Sequence, residues 1–250
     1  MSRRRIFGFA VSPLSAEEIR DTVIGEAPPG GGVGLVVTPN IQHVALLGRD
    51  PAFRAAYDGA AVIVCDGFPV HYYARLRGVP TAGRVTGCAI TDAVMALSGF
   101  PESHRLFFVV DSQATVDAVL DWAGQRGLSG RIATAVPPFG FEHDAGQSET
   151  LAKAIRDHGT TLLFMAVGAP KSEIFVHLHR ALLPSCWALC IGRAVKTALG
   201  LVRRPPKVFT RFNLEWLWWL TQEPVRIAAR CSVSVPGFLA AVALDMARTE

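Results

Sequence analysis

The feature that most constrains this chain is a series of short stretches that are apolar on nearly every residue, separated by segments with helical spacing. A strand with one wet face alternates apolar and polar side chains, whereas one that is apolar throughout has both faces covered. The stretches are residues 6–11, 34–37, 61–64, 106–110, 131–136, 161–167 and 187–191. Between them, Ser15-Ala-Glu-Glu18 has capping-box spacing and opens a helix towards Ile24. Residues 115–125 end at Arg126-Gly127, a basic last turn with a C-cap glycine, and 147–158 and 171–182 follow the same plan. Strands alternating with helices predict the α/β class, with a mostly parallel sheet flanked by helices on both sides. At 250 residues, half of them hydrophobic, the chain can build one large domain, or one domain plus an appendage.

The pattern changes after Gly200. Residues 208–221, 224–231 and 235–248 read as helices with no further strand, and Arg203-Arg-Pro-Pro-Lys207 is a natural joint because paired prolines cannot continue a helix. The division expected is a core over 1–200 and a basic, Trp-rich helical appendage over 201–250. Net charge is only +4, too mild for a nucleic-acid partner, but from residue 203 to 230 Arg203, Arg204, Lys207, Arg211, Arg226 and Arg230 face only Glu215 and Glu223. Such a tract suits phosphate or an anionic membrane surface. Three of the five tryptophans fall between residues 216 and 219, a composition that suits either a buried helix or the lipid headgroup layer. Mean hydropathy is +0.29, high for an enzyme surrounded by water. No continuous apolar run reaches the ~18 residues of a membrane span, since 233–247 carries Pro236, Gly237 and Asp245. Residues 1–6 resemble a signal n-region, but the apolar stretch after them is stopped by Pro13. The expected location is therefore on a membrane rather than across it. Five cysteines without a CxxC pair predict reduced thiols packed as small apolar groups.

Open α/β sheets bind ligands where loops converge at the carboxyl ends of the strands. Four expected strand ends carry unusual residues: Thr38-Pro-Asn40, Asp66-Gly67, Gly168-Ala-Pro-Lys-Ser-Glu173 and Gly192-Arg193. Asp66 closes the apolar run Val62-Ile-Val-Cys and reads either as a cap for a helix starting near Pro69 or as a general base or sugar ligand. With an ordinary pKa of about 3.9 it would be ionised. Nucleotide fingerprints are missing. Pro170 and the wrong spacing rule out a P-loop at Gly168–Ser172, and the glycines at 30–34 precede their strand. There is no Asp-x-Asp diphosphate clamp, and His177 and His179 sit two residues apart on a helix, facing away from each other. Charge on a leaving group would then fall to helix N-termini and to Arg84, Lys171, Arg203 and Arg204.

In order and spacing these blocks resemble the WecG/TagA/CpsF family, glycosyltransferase family 26, from about Thr38 to Arg230. The matching blocks are Thr38-Pro-Asn40, Asp66-Gly67, Arg84-Val-Thr-Gly87, Gly168-Ala-Pro-Lys-Ser-Glu173, Gly200 through Arg204-Pro-Pro206, Leu214-Glu-Trp-Leu217 and Gln222-Glu-Pro-Val-Arg226. The resemblance implies a Rossmann-like core with a C-terminal membrane-docking appendage. It also implies an inverting, metal-independent and cofactor-free transfer from a UDP-sugar to a polyprenyl-diphosphate-linked saccharide, at the cytoplasmic face of the inner membrane, in cell-surface polysaccharide synthesis. Self-association is left open. By residue match Asp66 is the catalytic base with Thr38 beside it. Substrate would meet Asn40, Gly67, Arg84, Gly87, Gly168, Pro170, Lys171, Ser172, Glu173, Arg203, Arg204, Arg211, Glu215 and Arg226. Three positions depart from the family pattern: Ser172 stands for a glutamine, Val195-Lys196 for Phe-Asp, and Trp218-Trp219 for Tyr-Arg. Ser172 and Lys196 motivate an alternative, a non-catalytic homologue that binds lipid-linked sugar or scaffolds an assembly complex. A soluble nucleotide-binding protein is a third reading.

Overall fold

The computed structural model describes residues 5–247. The basic start at 1–4, and Arg248 at the end of the expected helix 235–248, lie outside the described residues.

The first expected strand, 6–11, is a correction. It forms a small antiparallel hairpin, β1 (Arg5–Ile6) and β2 (Phe9–Ala10), turning through Phe7 and Gly8 at φ 51° and 87°. Ile6 and Phe9 are buried in the core, so a hairpin packed on both sides carries the same apolar signature as a sheet strand. The remaining strands are β3 (Val33–Val37), β4 (Val62–Ile63), β5 (Leu106–Val109), β6 (Ile132–Ala135), β7 (Leu162–Met165) and β8 (Cys186–Cys190). Among the described residues they form one parallel six-stranded sheet in the order β4-β3-β8-β7-β5-β6.

Successive residues alternate between two apolar layers, as the pleat demands. Val33, Leu35 and Val37 face one cluster with Cys186, Ala188 and Cys190, while Val36, Trp187 and Leu189 face the other. The second layer holds Phe108 stacked on Phe164 with ring centroids 4.3 Å apart. It is covered by α1 (Ala16–Gly25), α5 (Gly87–Met95), α6 (Gln113–Gly124) and α9 (Ala194–Ala198). The first is covered by α2 (Ile41–Leu47), α3 (Pro51–Asp58), α4 (Phe68–Leu76), α7 (Ala145–Asp157) and α8 (Lys171–Leu178). The Ser15–Glu18 capping box is present, each backbone N–H donating to the other's side chain at 2.8 and 3.1 Å. Gly34 lies opposite Trp187 in the β3–β8 register; a Cβ there would sit 2.5 Å from the indole, so only glycine leaves room for the ring.

Beyond Gly200 the helices differ from the expected ones. Residues 208–221 are divided into α10 (Lys207–Arg211) and α11 (Glu215–Gln222), with Asn213 at φ 57° between them. The two helices expected at 224–231 and 235–248 are one, α12 (Pro224–Ala247), which runs through Pro236. Gly237 is where α12 crosses α2: a Cβ on it would lie 2.6 Å from the Ala45 Cβ. With 24 residues, including an 18-residue stretch of mean hydropathy 1.7, α12 has the length and composition to cross a bilayer. It is nevertheless laid along the domain, burying Ile227, Ser234 and Phe238. Its Asp245 accepts from the Phe7 N–H at 2.6 Å and the Tyr73 hydroxyl at 2.8 Å, and pairs with Arg77 at 2.9 Å.

Candidate active site

Four neighbouring strands, β4, β3, β8 and β7, end on the same edge. These are the strands whose ends carry Asp66, Thr38, Gly192 and Gly168, so the sheet order brings the four together. Glycines mark the contacts. A Cβ on Gly67 would lie 3.3 Å from Asn40, one on Gly87 would lie 3.3 Å from the Ile191 carbonyl, and one on Gly192 would lie 3.9 Å from Gly168. Gly168 and Gly192 hold φ of 87° and 53°, a left-handed turn that a side chain resists.

Asp66 is held by backbone on two sides. Its N–H donates to the Pro39 carbonyl at 3.1 Å, and the Val85 N–H donates to Cys65 at 2.9 Å, which folds the Arg84–Gly87 segment back over the strand end. The Gly87 N–H, in the first turn of α5, favours the charged form of the Asp66 carboxylate. The capping alternative fails: α4 starts at Phe68 with Gly67 in the N-cap position and receives no side-chain cap. The expected ordinary pKa is also corrected. Burial raises it to about 6, opposed by the Arg84 charge and the Gly87 N–H and reinforced by Glu215.

Arg84 forms an ion pair and hydrogen bond with Glu215, the first residue of α11, so the segment after Gly200 reaches into the site. Asp66, Arg84 and Glu215 thus form a row of alternating charge. Thr38 is buried at the end of β3. Asn40 caps α2, its Oδ1 accepting from Gln42 and His43 N–H at 2.9 and 3.3 Å, which leaves its amide NH₂ for other partners.

The remaining candidates are dispersed around this centre. Ser172 is buried and donates to the Gly168 carbonyl at 3.1 Å, closing the turn that Pro170 enters. Glu173 is buried with Oε2 unpartnered, and burial raises its pKa to about 8. Lys171 places its ammonium 5.4 Å from the exposed Phe139 ring. Arg204 forms a bidentate pair with Asp92 on α5 at 2.6 and 2.7 Å, and Arg226 pairs with Glu223 at 2.7 Å. Arg203 and Arg211 are exposed and form no ion pair among the described residues. His179 hydrogen-bonds the Phe175 carbonyl through Nδ1 and stacks on the Phe175 ring.

Two of the departures have partners that the sequence order hid. Lys196 pairs at 3.0 Å with Asp111, just beyond β5, and Trp219 lies under the Arg193 guanidinium at 4.8 Å, while Arg193 also pairs with Glu223 at 2.6 Å. Arg193 was already marked as a strand-end residue; its partner, 30 positions away, was not.

The sequence profile described as the glycosyl transferase WecG/TagA/CpsF family matches residues 4–250. The chain belongs to that family. Among curated WecG/TagA/CpsF-like relatives, an N-acetylglucosaminyldiphosphoundecaprenol N-acetyl-beta-D-mannosaminyltransferase of Bacillus spizizenii is 27% identical over 212 residues, covering 85% of this chain and 79% of the relative. Proteins of the same name from Bacillus subtilis (26% identical, covering 78% of this chain and 73% of the relative) and Staphylococcus aureus strain MW2 (24%, covering 80% and 76%) are also similar. The strand-end cluster of this WecG/TagA/CpsF protein lies within the matched span.

Proposed function

We propose that this protein is an inverting glycosyltransferase that moves a hexose, N-acetylhexosamine or uronic acid from a UDP-sugar to a polyprenyl-diphosphate-linked saccharide, working peripherally at the cytoplasmic face of the inner membrane. One observation carries the reading: a carboxylate at the end of β4 has its pKa lifted to about 6 and sits beside the Arg84 charge and the first turn of α5. Such a group is ionised at neutral pH yet basic enough to take a proton. The names of the relatives, which specify a diphosphoundecaprenol acceptor, support the acceptor class.

In this mechanism Asp66 accepts the proton of the acceptor hydroxyl as its oxygen attacks the anomeric carbon, and the UDP leaves with the bonding pair from the opposite face. Thr38 and the Asn40 amide line the donor side. Arg84 offsets charge growing on the diphosphate, as do Arg203 and Arg211, in place of a metal. Glu215 holds Arg84 until substrate competes for it. The non-catalytic alternative drew on Ser172 and Lys196, but the Lys196 charge is matched by Asp111, which favours the transferase reading. The test is Asp66→Asn. The variant folds and binds UDP but loses UDP release onto a lipid-diphosphate sugar by roughly 10²–10⁴, the worth of a general base. Undiminished turnover reassigns the base.

A further inference from the structure

Positive charge along α12 is unevenly matched. Arg49, just past α2, lines a hollow of about 230 Å³ with Arg226 and Arg230 of α12, over a floor that includes Ala45, Leu46 and Val233. Among the described residues the carboxylate serving this cluster is Glu223, already divided between Arg193 at 2.6 Å and Arg226 at 2.7 Å. Arg49 and Arg230 have no ion-pair partner among the described residues. Loss of water, and then the charges of Arg226 and Arg193, lower the Arg230 pKa, an effect that the shared Glu223 offsets only in part. The Arg230 charge extends inward as well, adding to burial in pushing His43 down to about 4.

A hollow that is cationic at its rim and apolar on its floor calls for an anion attached to hydrocarbon. A free inorganic anion would satisfy the guanidinium groups but leave the partly exposed Leu46 and the exposed Val233 wet, whereas a phosphodiester carrying acyl chains covers both. Val225 and Leu239 on the same helix are 82% and 60% exposed, so apolar surface continues along α12 beyond the hollow. We propose that the hollow between α2 and α12 is a headgroup site that holds the phosphate of an anionic membrane lipid, distinct from the acceptor. This rests on the membrane-surface reading above.

The experiment is sedimentation of the full chain with vesicles of phosphatidylcholine alone and with phosphatidylglycerol added. Arg49→Gln and Arg230→Gln are compared with Arg156→Gln, which removes the same charge from an exposed position paired only with its neighbour Asp157. Each hollow variant is expected to lower partition onto phosphatidylglycerol vesicles by at least about fivefold, the worth of one basic residue at an anionic surface, while Arg156→Gln stays near wild type. Monomeric dihexanoyl-phosphatidylglycerol is expected to bind wild type saturably by calorimetry, with Arg49→Gln losing that binding. Equal losses in all three variants overturn the site in favour of diffuse charge. So does Arg49→Gln losing turnover of a soluble short-chain acceptor while keeping lipid binding, which would give the hollow to the acceptor. UDP release by wild type with that acceptor is read in parallel, so failure of the transferase reading shows independently of the vesicles.

Discussion

Replacing Glu215 by glutamine removes the negative charge lying across Arg84 from Asp66 and frees the guanidinium from its ion pair. Both changes favour ionised Asp66, because Arg84 lowers and Glu215 raises the pKa that burial lifts to about 6. At an effective dielectric of about 20, a unit charge this near is worth on the order of 1–2 kcal/mol. Since about 1.4 kcal/mol is one pKa unit, the acid limb of kcat/KM should move down by about one pH unit. A base that must be ionised gives a half-height at its own pKa. At about half a unit below the wild-type midpoint, the active fraction therefore rises from about a quarter to about three quarters, roughly threefold, once each enzyme is normalised to its own plateau. Arg84→Gln must move the limb the other way, towards higher pH, and also lower the plateau. The assay is UDP release against pH with a soluble lipid-diphosphate sugar. A limb that stays put in Glu215→Gln, or moves the same way in both variants, refutes the assignment of Asp66 as the titrating base governed by this row of charges.

Glu173 gives a stability prediction of opposite dependence. Its folded pKa, about 8, lies above the unfolded carboxyl value of 4.5, so the folded state holds the extra proton. Its contribution is whole below the unfolded pKa and is lost as pH rises towards 8, up to a few kcal/mol in all. Glu173→Gln should flatten the fall in denaturation midpoint between those limits, and an unchanged slope would show that the buried acid is not the cause. Gly34→Ala should cost about 1–3 kcal/mol through overpacking against Trp187, seen as a lower Tm; a Tm equal to wild type would mean that the β3–β8 pair relaxes without cost.

Much of this was legible in the sequence because the signals were local. Uniformly apolar runs gave the parallel sheet, and Thr38, Asp66, Gly168 and Gly192 could be placed at strand ends before the strand order was known. That order, β4-β3-β8-β7, puts them on adjacent strands, and no local pattern encodes it. The hairpin at 5–10 was misread since burial on two sides looks alike in a strand and a hairpin. The close approach of Gly237 to α2 was not legible since it depends on Ala45, nearly 200 residues earlier. The lifted pKa of Asp66 was likewise invisible: it arises from burial and from Glu215, which is adjacent only after folding. Local spacing also could not show that Asn40 would be occupied in capping or that Arg204 would be tied to Asp92.

The contact of Gly237 with Ala45 allows α12 neither to roll nor to slide on α2 without a collision. Asn40 caps the same α2 and touches Gly67, the residue after Asp66. The Asp66 carboxylate and the outward side of the last helix are therefore linked to one another through a single short helix. Any surface that α12 settles on would set the height and tilt of Asp66 above it, so a bulkier residue at 237 would shift that depth without touching a single ligand.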